Sequence, residues 1–450
     1  MTDAERLSLF ESMPVRTAVR KQITPAIISQ MIALVYQLAD TYFIGLLDLP
    51  AQTAAVTVAY PSFLMLTAIS NLFGVGGASA LSRALGKHDE RSAGQISAVA
   101  FWFGLVAAGA YVLLYAVVRA PILRLSGASD ETLPIALSYV RWVVLVGGVP
   151  TVLNILLSNL VRAEGRAAQA SFGVSLGGIL NLLLDPLFVL PRFLDLGAAG
   201  AGLATALSNG VSMAYLLAVV LRGRGTVLRL APGLAYTARR HLGRITAIGF
   251  PSALQYALTV VAVSAQAKFV SQYPTAAVAA LGITKKIDQL PLYFSIGVSA
   301  GILPLLAYNH ASGDVRRRRS VFRWGVGVSL GFALLCLAVF EAFAPQLSSV
   351  FIRDAETVSY AAAFLRRMVT AMPLMSVAYP MIIQFQAMGR ARESLVCSVL
   401  RKGVLDIPLL FLMDALVPLY GLMWVQPIVD LISLTVALLL YLRIRKKESL

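Results

Sequence analysis

The sequence predicts an all-α integral membrane protein of twelve transmembrane helices, arranged as two six-helix bundles related by a pseudo-twofold axis. Three observations predict it. Of 450 residues, 58% are hydrophobic and only 13% charged, with a mean hydropathy of +0.77; soluble proteins are about one quarter charged. The apolar residues gather into twelve runs, each long enough to cross a bilayer, which takes about 20 residues. The basic residues collect in alternate connections between those runs. Little chain is left for a soluble domain, the apolar content excludes disorder, and two cysteines exclude a disulfide scaffold or a thiol zinc cluster.

The elements follow in order. A polar tail, 1–22, carries Arg6, Arg16, Arg20 and Lys21. The run behind it is too long for the apolar part of a signal peptide, so the first helix is expected to remain as an anchor. That run, 23–47, connects without Lys or Arg to the second, 54–82, which ends on Arg83, Lys87 and Arg91. The third, 94–118, leads past Arg119 and Arg124 to the fourth, 133–160, which ends on Arg162 and Arg166. The fifth, 167–190, leads past Arg192 to the sixth, 198–221. The longest connection, 222–244, is rich in Gly and Arg and holds Arg222, Arg224, Arg229, Arg239, Arg240 and Arg244. The seventh and eighth runs, 245–272 and 277–309, precede Arg316–Arg319 and Arg323. The ninth, 320–343, leads past Arg353 to the tenth, 358–388, which ends on Arg390 and Arg392. The eleventh and twelfth, 394–417 and 419–442, precede a tail, 443–450, with Arg443, Arg445, Lys446 and Lys447. A run as long as the tenth has to tilt, kink or protrude.

Counted this way, one set of connections and both tails hold 26 Lys and Arg, and the other connections hold 4. Basic loops stay cytoplasmic. Both termini are therefore expected in the cytoplasm, in a multi-pass protein of the cell inner membrane. The net charge of +16 becomes a topology signal, and nucleic acid is not expected as a partner.

The long linker divides the chain into an expected N-lobe (23–221), cytoplasmic linker (222–244) and C-lobe (245–442). A shift of about 226 residues lays Pro25 on Pro251, each opening its half's first helix, and Leu85–His88 on Ala311–Asp314. Gly165-Arg166-Ala167 resembles Gly389-Arg390-Ala391 in the matching turn. Duplicated halves mark transporters, with the substrate path between them near the midplane.

A carboxylate at mid-helix costs about 2.5–3.5 kcal/mol, so it is a functional candidate by default. Asp40 lies deep in the first helix and Asp185 in the fifth. Tyr36 and Asp40 are four apart, as are Asn181 and Asp185, so each pair shares a helix face. Two acids with amide and phenol oxygens fit Na⁺ or a proton, and no Lys or Arg lies mid-helix beside them. Asn154, Asn159 and Thr205 are further polar neighbours. The second half holds Lys268, Lys285, Lys286, Asp288, Arg401, Lys402 and Asp406 instead. Lys285 with Asp288, and Lys402 with Asp406, have the spacing of local ion pairs; a cationic lining for an anionic or zwitterionic substrate is the other reading. Asp40 aligns with Gln266, so ion coupling is expected in the first half only. Phe63, Met65, Tyr256 and Tyr293 are candidate cavity residues. The small-residue stretches Gly74-Val-Gly76-Gly77, Gly173-x-x-x-Gly177 and Gly197–Gly202 are expected at close helix contacts.

Enzyme chemistry finds little support. His88, His241 and His310 all fall in connections. Asn309-His310-x-x-x-Asp314 is one residue short of an acyltransferase box, and no metalloprotease motif, nucleophile elbow or phosphate loop is present.

Four stretches together carry a specific resemblance: Tyr36-Gln-Leu-Ala-Asp40-Thr-Tyr-Phe-Ile-Gly45, Asn71 to Gly86, Arg162-Ala-Glu-Gly165 and Asn181-Leu-Leu-Leu-Asp185-Pro186. Tyr308-Asn309 with Gly313, and Leu400-Arg401 with Pro408, extend it into the second half. The whole chain resembles the MATE (multidrug and toxin extrusion) exporters, nearer their bacterial DinF/MepA-like branch. The resemblance implies a cleft between two lobes, open to one side at a time, and efflux of a small amphipathic substrate driven by inward Na⁺ or H⁺, with no other cofactor and one chain per transporter. It implies that Asp40, Asn181 and Asp185 form the cation site, the metal ligands if the ion is Na⁺. Tyr36 and Thr205 would be neighbouring ligands, and Asn159, or else Asn154, the helix-4 member. A bend of helix 1 at Pro25, or a lobe rearrangement, would couple binding to release. The basic second half, with Lys285, Asp288 and Arg401, is the departure. It keeps open a lipid-linked saccharide flippase or an exporter of an anionic metabolite on the same fold.

Overall fold

The computed structural model describes residues 3–47, 49–223 and 225–448. Arg224 of the linker, residues 1–2 and 449–450 of the expected tails, and the Lys447 side chain lie outside the described residues. The spans are α1 (Val15–Gly45), α2 (Pro50–Gly86), α3 (Glu90–Leu125), α4 (Thr132–Val146 with Gly148–Ala163), α5 (Ala167–Val189) and α6 (Gly197–Arg222) in the first half. The second half has α7 (Leu242–Val270), α8 (Thr275–Ala311), α9 (Val315–Ser349), α10 (Ala355–Met368 with Ala371–Ala387), α11 (Ala391–Val399 with Asp406–Leu416) and α12 (Gly421–Glu448).

Three expected spans are not straight. α4 bends by 47° and α10 by 45°. In each, a proline stands one turn beyond the break: Pro150 has no N–H for the Val146 carbonyl, and Pro373 none for Val369. α11, expected as one helix over 394–417, is broken by a wide turn at Leu400–Val404 in which Lys402 leaves helical geometry (φ −135°, ψ 32°). Pro408 denies Val404 its bond in the same way. The ends differ as well. α1 starts at Val15, eight residues before expectation, and α12 runs on to Glu448, so 443–448 prolong the helix instead of forming a tail. The linker contains a short helix, Pro232–Thr237.

The two halves repeat their local devices. Asp89 accepts from the Ser92 N–H (2.9 Å) and Asp314 from the Arg317 N–H (2.8 Å), capping α3 and α9. Gly165 (φ +95°) and Gly389 (φ +73°) end α4 and α10 in a left-handed turn that a side chain would strain.

Glycine sets how closely the halves meet. A Cβ on Gly249 would stand 1.7 Å from the Leu72 carbonyl oxygen, and one on Gly76 2.0 Å from that of Ile245, so α2 and α7 touch backbone to backbone. Gly297 and Gly301 of α8 bring that helix onto Ile27 and Ile23 of α1, each within 2.7 Å of a Cβ. Within α2, Gly74 faces α4 and Gly77 faces α3, so one short stretch admits three neighbours. All these contacts lie in the halves of α1, α2, α7 and α8 nearest the termini. Towards the opposite ends, α1, α2 and α8 instead line a cavity of about 250 Å³. The molecule is thus sealed at the end that carries its termini.

Residues 3–12, expected as part of a free tail, reinforce that seal. They form a helix, Asp3–Leu7, and a wide turn, Ser8–Ser12. Arg6 pairs with Glu90 at the start of α3 and lies 3.9 Å from Glu164. Phe10, with no exposure, stacks on Tyr308 of α8 at 4.5 Å. Tyr308 donates to Glu11 (2.5 Å), and Arg317 of α9 donates to the Phe10 and Leu9 carbonyls (2.7 and 3.1 Å). The segment clasps both lobes. Truncating a fully buried Phe costs about 3–5 kcal/mol, more than so short a clasp can absorb. Phe10→Ala is therefore expected to release it, read as lost hydrogen-exchange protection of residues 8–13 with α2 still protected.

Candidate ion and cargo site

The first-half polar residues converge from α1, α5 and α6. Asp40 and Tyr36 stack one turn apart on α1, and Asp185 and Asn181 do so on α5. Small residues allow the approach. A Cβ on Gly178 would stand 2.9 Å from the Tyr36 ring and one on Gly177 3.0 Å from the Ser208 carbonyl oxygen of α6. Asn181 donates at 3.4 Å to both Asp185 Oδ1 and Thr205 Oγ1. Asp185 is fully buried and Asn181 nearly so. Asp40 and Asp185 lie within electrostatic reach of each other and of Tyr36 and Tyr139.

What distinguishes this cluster is an excess of acceptors. Asp40 Oδ1, Asp185 Oδ2 and Asn181 Oδ1 are all buried without a hydrogen-bond donor. Neither acid has an ion pair among the described residues. Buried acceptors left this way cost about 1–3 kcal/mol each, more when charged. A proton or a small cation between them removes the deficit.

Asp40 and Tyr36 also form one wall of the cavity, with Thr53, Thr57, Tyr60 and Phe63 of α2, Tyr139 of α4 and Thr205 of α6. Lys286 and Gln289 of α8 are the lining residues from the second half. Tyr293, one turn beyond Gln289, donates to Gln37 of α1 at 2.6 Å and spans the two lobes.

Other expected residues lie elsewhere. Asn159 donates to the Ile155 carbonyl of its own helix (2.9 Å) and packs on Gly74. Asn154 belongs to a separate α4–α6 network with Asn209 (3.0 Å) and Ser212 (2.6 Å). Met65 is 38% exposed and outside the cavity lining. Tyr256 stands near Tyr379 and Tyr60. Pro25 sits within an unbroken α1.

Lys285 and Arg401 also miss the cavity. The anticipated pairs Lys285–Asp288 and Lys402–Asp406 do not form within 4 Å. The break in α11 turns Lys402 towards Gln426 (2.7 Å) and seats Arg401 against Asp430 of α12 (2.8 Å) and the Tyr379 ring (4.2 Å). Lys285, Lys402 and Arg401 share their surroundings with Asp288, Asp406 and Asp430, so three cations meet three acids and the expected cationic lining is balanced. Asp430 was legible by the rule that picked out Asp40, as an acid within an apolar run. Arg401→Met leaves Asp430 buried and unpaired, and the expected loss is about 3–5 kcal/mol. Adding Asp430→Leu is expected to recover most of it, as measured by thermal melting of the purified protein.

The MatE family model matches the chain twice, over residues 25–187 and 251–412. The multidrug export protein MepA of Staphylococcus saprophyticus is 27% identical over 443 residues, covering 98% of this chain and 97% of that protein. MepA of Staphylococcus aureus is 29% identical over 440 residues, with 97% and 96% covered. Among solved structures, a MATE in the straight conformation superposes with a TM-score of 0.91 at 23% identity, covering 100% of this chain and 99% of the other. An outward-facing multidrug resistance MATE family transporter gives 0.88 at 22% identity, with the same coverage.

Proposed function

The chain belongs to the MatE family, and from that premise we propose that it is a secondary antiporter, exporting amphipathic drugs or metabolites across the cytoplasmic membrane against an inward flow of Na⁺ or H⁺. The coarser statement needs no proposal: this is a multi-pass membrane transporter of the multidrug efflux kind, not an enzyme. In the proposed reading the termini are cytoplasmic, so the cavity opens outward, and a single chain is the working unit.

The observation that carries the reading is the trio of donorless oxygens on Asp40, Asp185 and Asn181. Asp40 faces the cavity and Asp185 lies behind it. A cation arriving through the cleft meets Asp40 first and is then shared with Asp185, Asn181 and Thr205. Its binding cancels negative charge in a low-dielectric site, where a second carboxylate opposes ionisation. Cargo and cation compete because Asp40 and Tyr36 serve both the cavity wall and the ion cluster. Competition of that kind makes binding of one favour release of the other, which is reciprocal coupling.

The test is export by reconstituted protein in proteoliposomes, with Na⁺ and pH gradients imposed separately against a panel of cationic and anionic dyes. One gradient is expected to drive accumulation and to identify the ion. Accumulation under neither would overturn the antiport scheme.

A further inference from the structure

Among the described residues lining the cavity, Lys286 is the one cation. It is partly exposed, and among the described residues it makes no hydrogen bond or ion pair. That sets it apart from the other basic residues of the second half. Arg401 is committed to Asp430 and Lys402 to Gln426. Its neighbour Lys285 points into the balanced cluster with Asp288 and Asp406. One step along a helix turns a side chain by about 100°, enough to put Lys285 inside the lobe and Lys286 in the cleft.

A lysine at membrane depth is costly and is held there by a partner or a task. Asp40 and the rings of Tyr36, Tyr60 and Phe63, from the first half, line the same cavity as Lys286. Gln289, one turn further along α8, offers an amide on the same face as Lys286. A flat apolar body would lie on the aromatic wall, and the Lys286 ammonium would attract an anionic group and repel a cationic one.

We propose that Lys286 selects the cargo: the exported compound is an amphipath carrying an anionic group, a carboxylate, sulfonate or phosphate, which Lys286 and Gln289 hold while the apolar body rests on the tyrosines. The proposal rests on the export reading above and names its substrate class.

The experiment uses the full chain, purified in detergent, and two probes. One is the amphipathic sulfonate 8-anilinonaphthalene-1-sulfonate and the other the lipophilic cation tetraphenylphosphonium. Charge-assisted contacts predict that Lys286→Gln weakens sulfonate binding by about tenfold or more. Lys286→Arg keeps the charge and is expected to stay near wild type. Lys286→Glu is expected to invert the preference, tightening the cation and losing the sulfonate. Equal sulfonate affinity across all four proteins would overturn the proposal. A lipid phosphate is the other source of the same chemistry, so the titration is repeated in phosphatidylcholine nanodiscs with and without phosphatidylglycerol. Undiminished sulfonate binding with phosphatidylglycerol supports a cargo site, whereas Lys286-dependent competition assigns the site to lipid and overturns it. Gradient-driven flux of either probe by the wild-type protein reports separately on export: flux of one of them with equal sulfonate affinity across the variants fails the Lys286 assignment alone, and flux of neither fails the antiport scheme.

Discussion

Asp40→Asn is expected to abolish gradient-driven export while the protein still inserts and folds. Asparagine keeps the shape of the side chain and removes its charge and its proton site, so the α1 backbone and the cavity wall are undisturbed. One pH unit across the membrane is worth about 1.4 kcal/mol per proton, about tenfold accumulation at one proton per cargo. The variant is expected to show none, in proteoliposomes where the parent does. Asp185→Asn is expected to match it, since both acids serve one cluster. Asn181→Ala and Thr205→Ala divide the ions: removing a neutral oxygen costs a Na⁺ site a ligand but leaves a proton its carboxylate. Strong losses in those two point to Na⁺, and mild ones to H⁺. Wild-type accumulation by Asp40→Asn would reject the assignment.

Gly249→Ala is the second large effect. A single methyl group there meets the Leu72 carbonyl oxygen at 1.7 Å, a distance no rotamer relieves because the α7 backbone fixes the Cβ position and the oxygen belongs to the α2 backbone. α2 and α7 have to part, and the seal at the terminal end opens. The chain has two cysteines, Cys336 and Cys397, both buried, so a reporter can be placed cleanly. Ile245→Cys, at a site with no exposure, is expected to resist a water-soluble maleimide alone and to react when Gly249→Ala is added, with export lost. Gly331→Ala is the control. Nothing lies within 4 Å of its Cβ position in α9, and there the change is expected to stabilise by about 0.5–1 kcal/mol. An unreactive Ile245→Cys/Gly249→Ala protein with normal export would refute the seam.

The spans were legible because a bilayer demands long apolar runs and basic loops, and both signals survive without any tertiary information. Asp40 and Asp185 were legible from the cost of buried charge, and Tyr36 and Asn181 from helical spacing, whereas Thr205 was a further polar neighbour whose role only the family resemblance implied. The structure brings these five together. What stayed hidden depends on small rotations. Asn159 was placed by its distance from Arg162, with Asn154 as the fallback, and the structure gives both to other partners. Lys285 and Lys286 read alike in sequence, yet one step of about 100° around α8 puts the second against the cavity and the first away from it. The break at Leu400–Val404 undid the Lys402–Asp406 pair that an unbroken helix would have made. The clasp formed by residues 3–12 left no apolar run to detect, because Leu9 and Phe10 are its only fully buried apolar side chains.

That clasp has a mechanical consequence. From Val15 to Gly45 α1 is one continuous rod of 31 residues, about 45 Å long, joined to the clasp through the extended residues Met13 and Pro14. One end follows directly on the grip on Tyr308 and Arg317, and towards the other lies Asp40, the acid proposed to take the ion. In that reading a tug on the acid is transmitted along a stiff shaft to the joint at Met13–Pro14. Ion occupancy and closure at the terminal end would then share a lever, and stiffening or softening the joint would retune both at once.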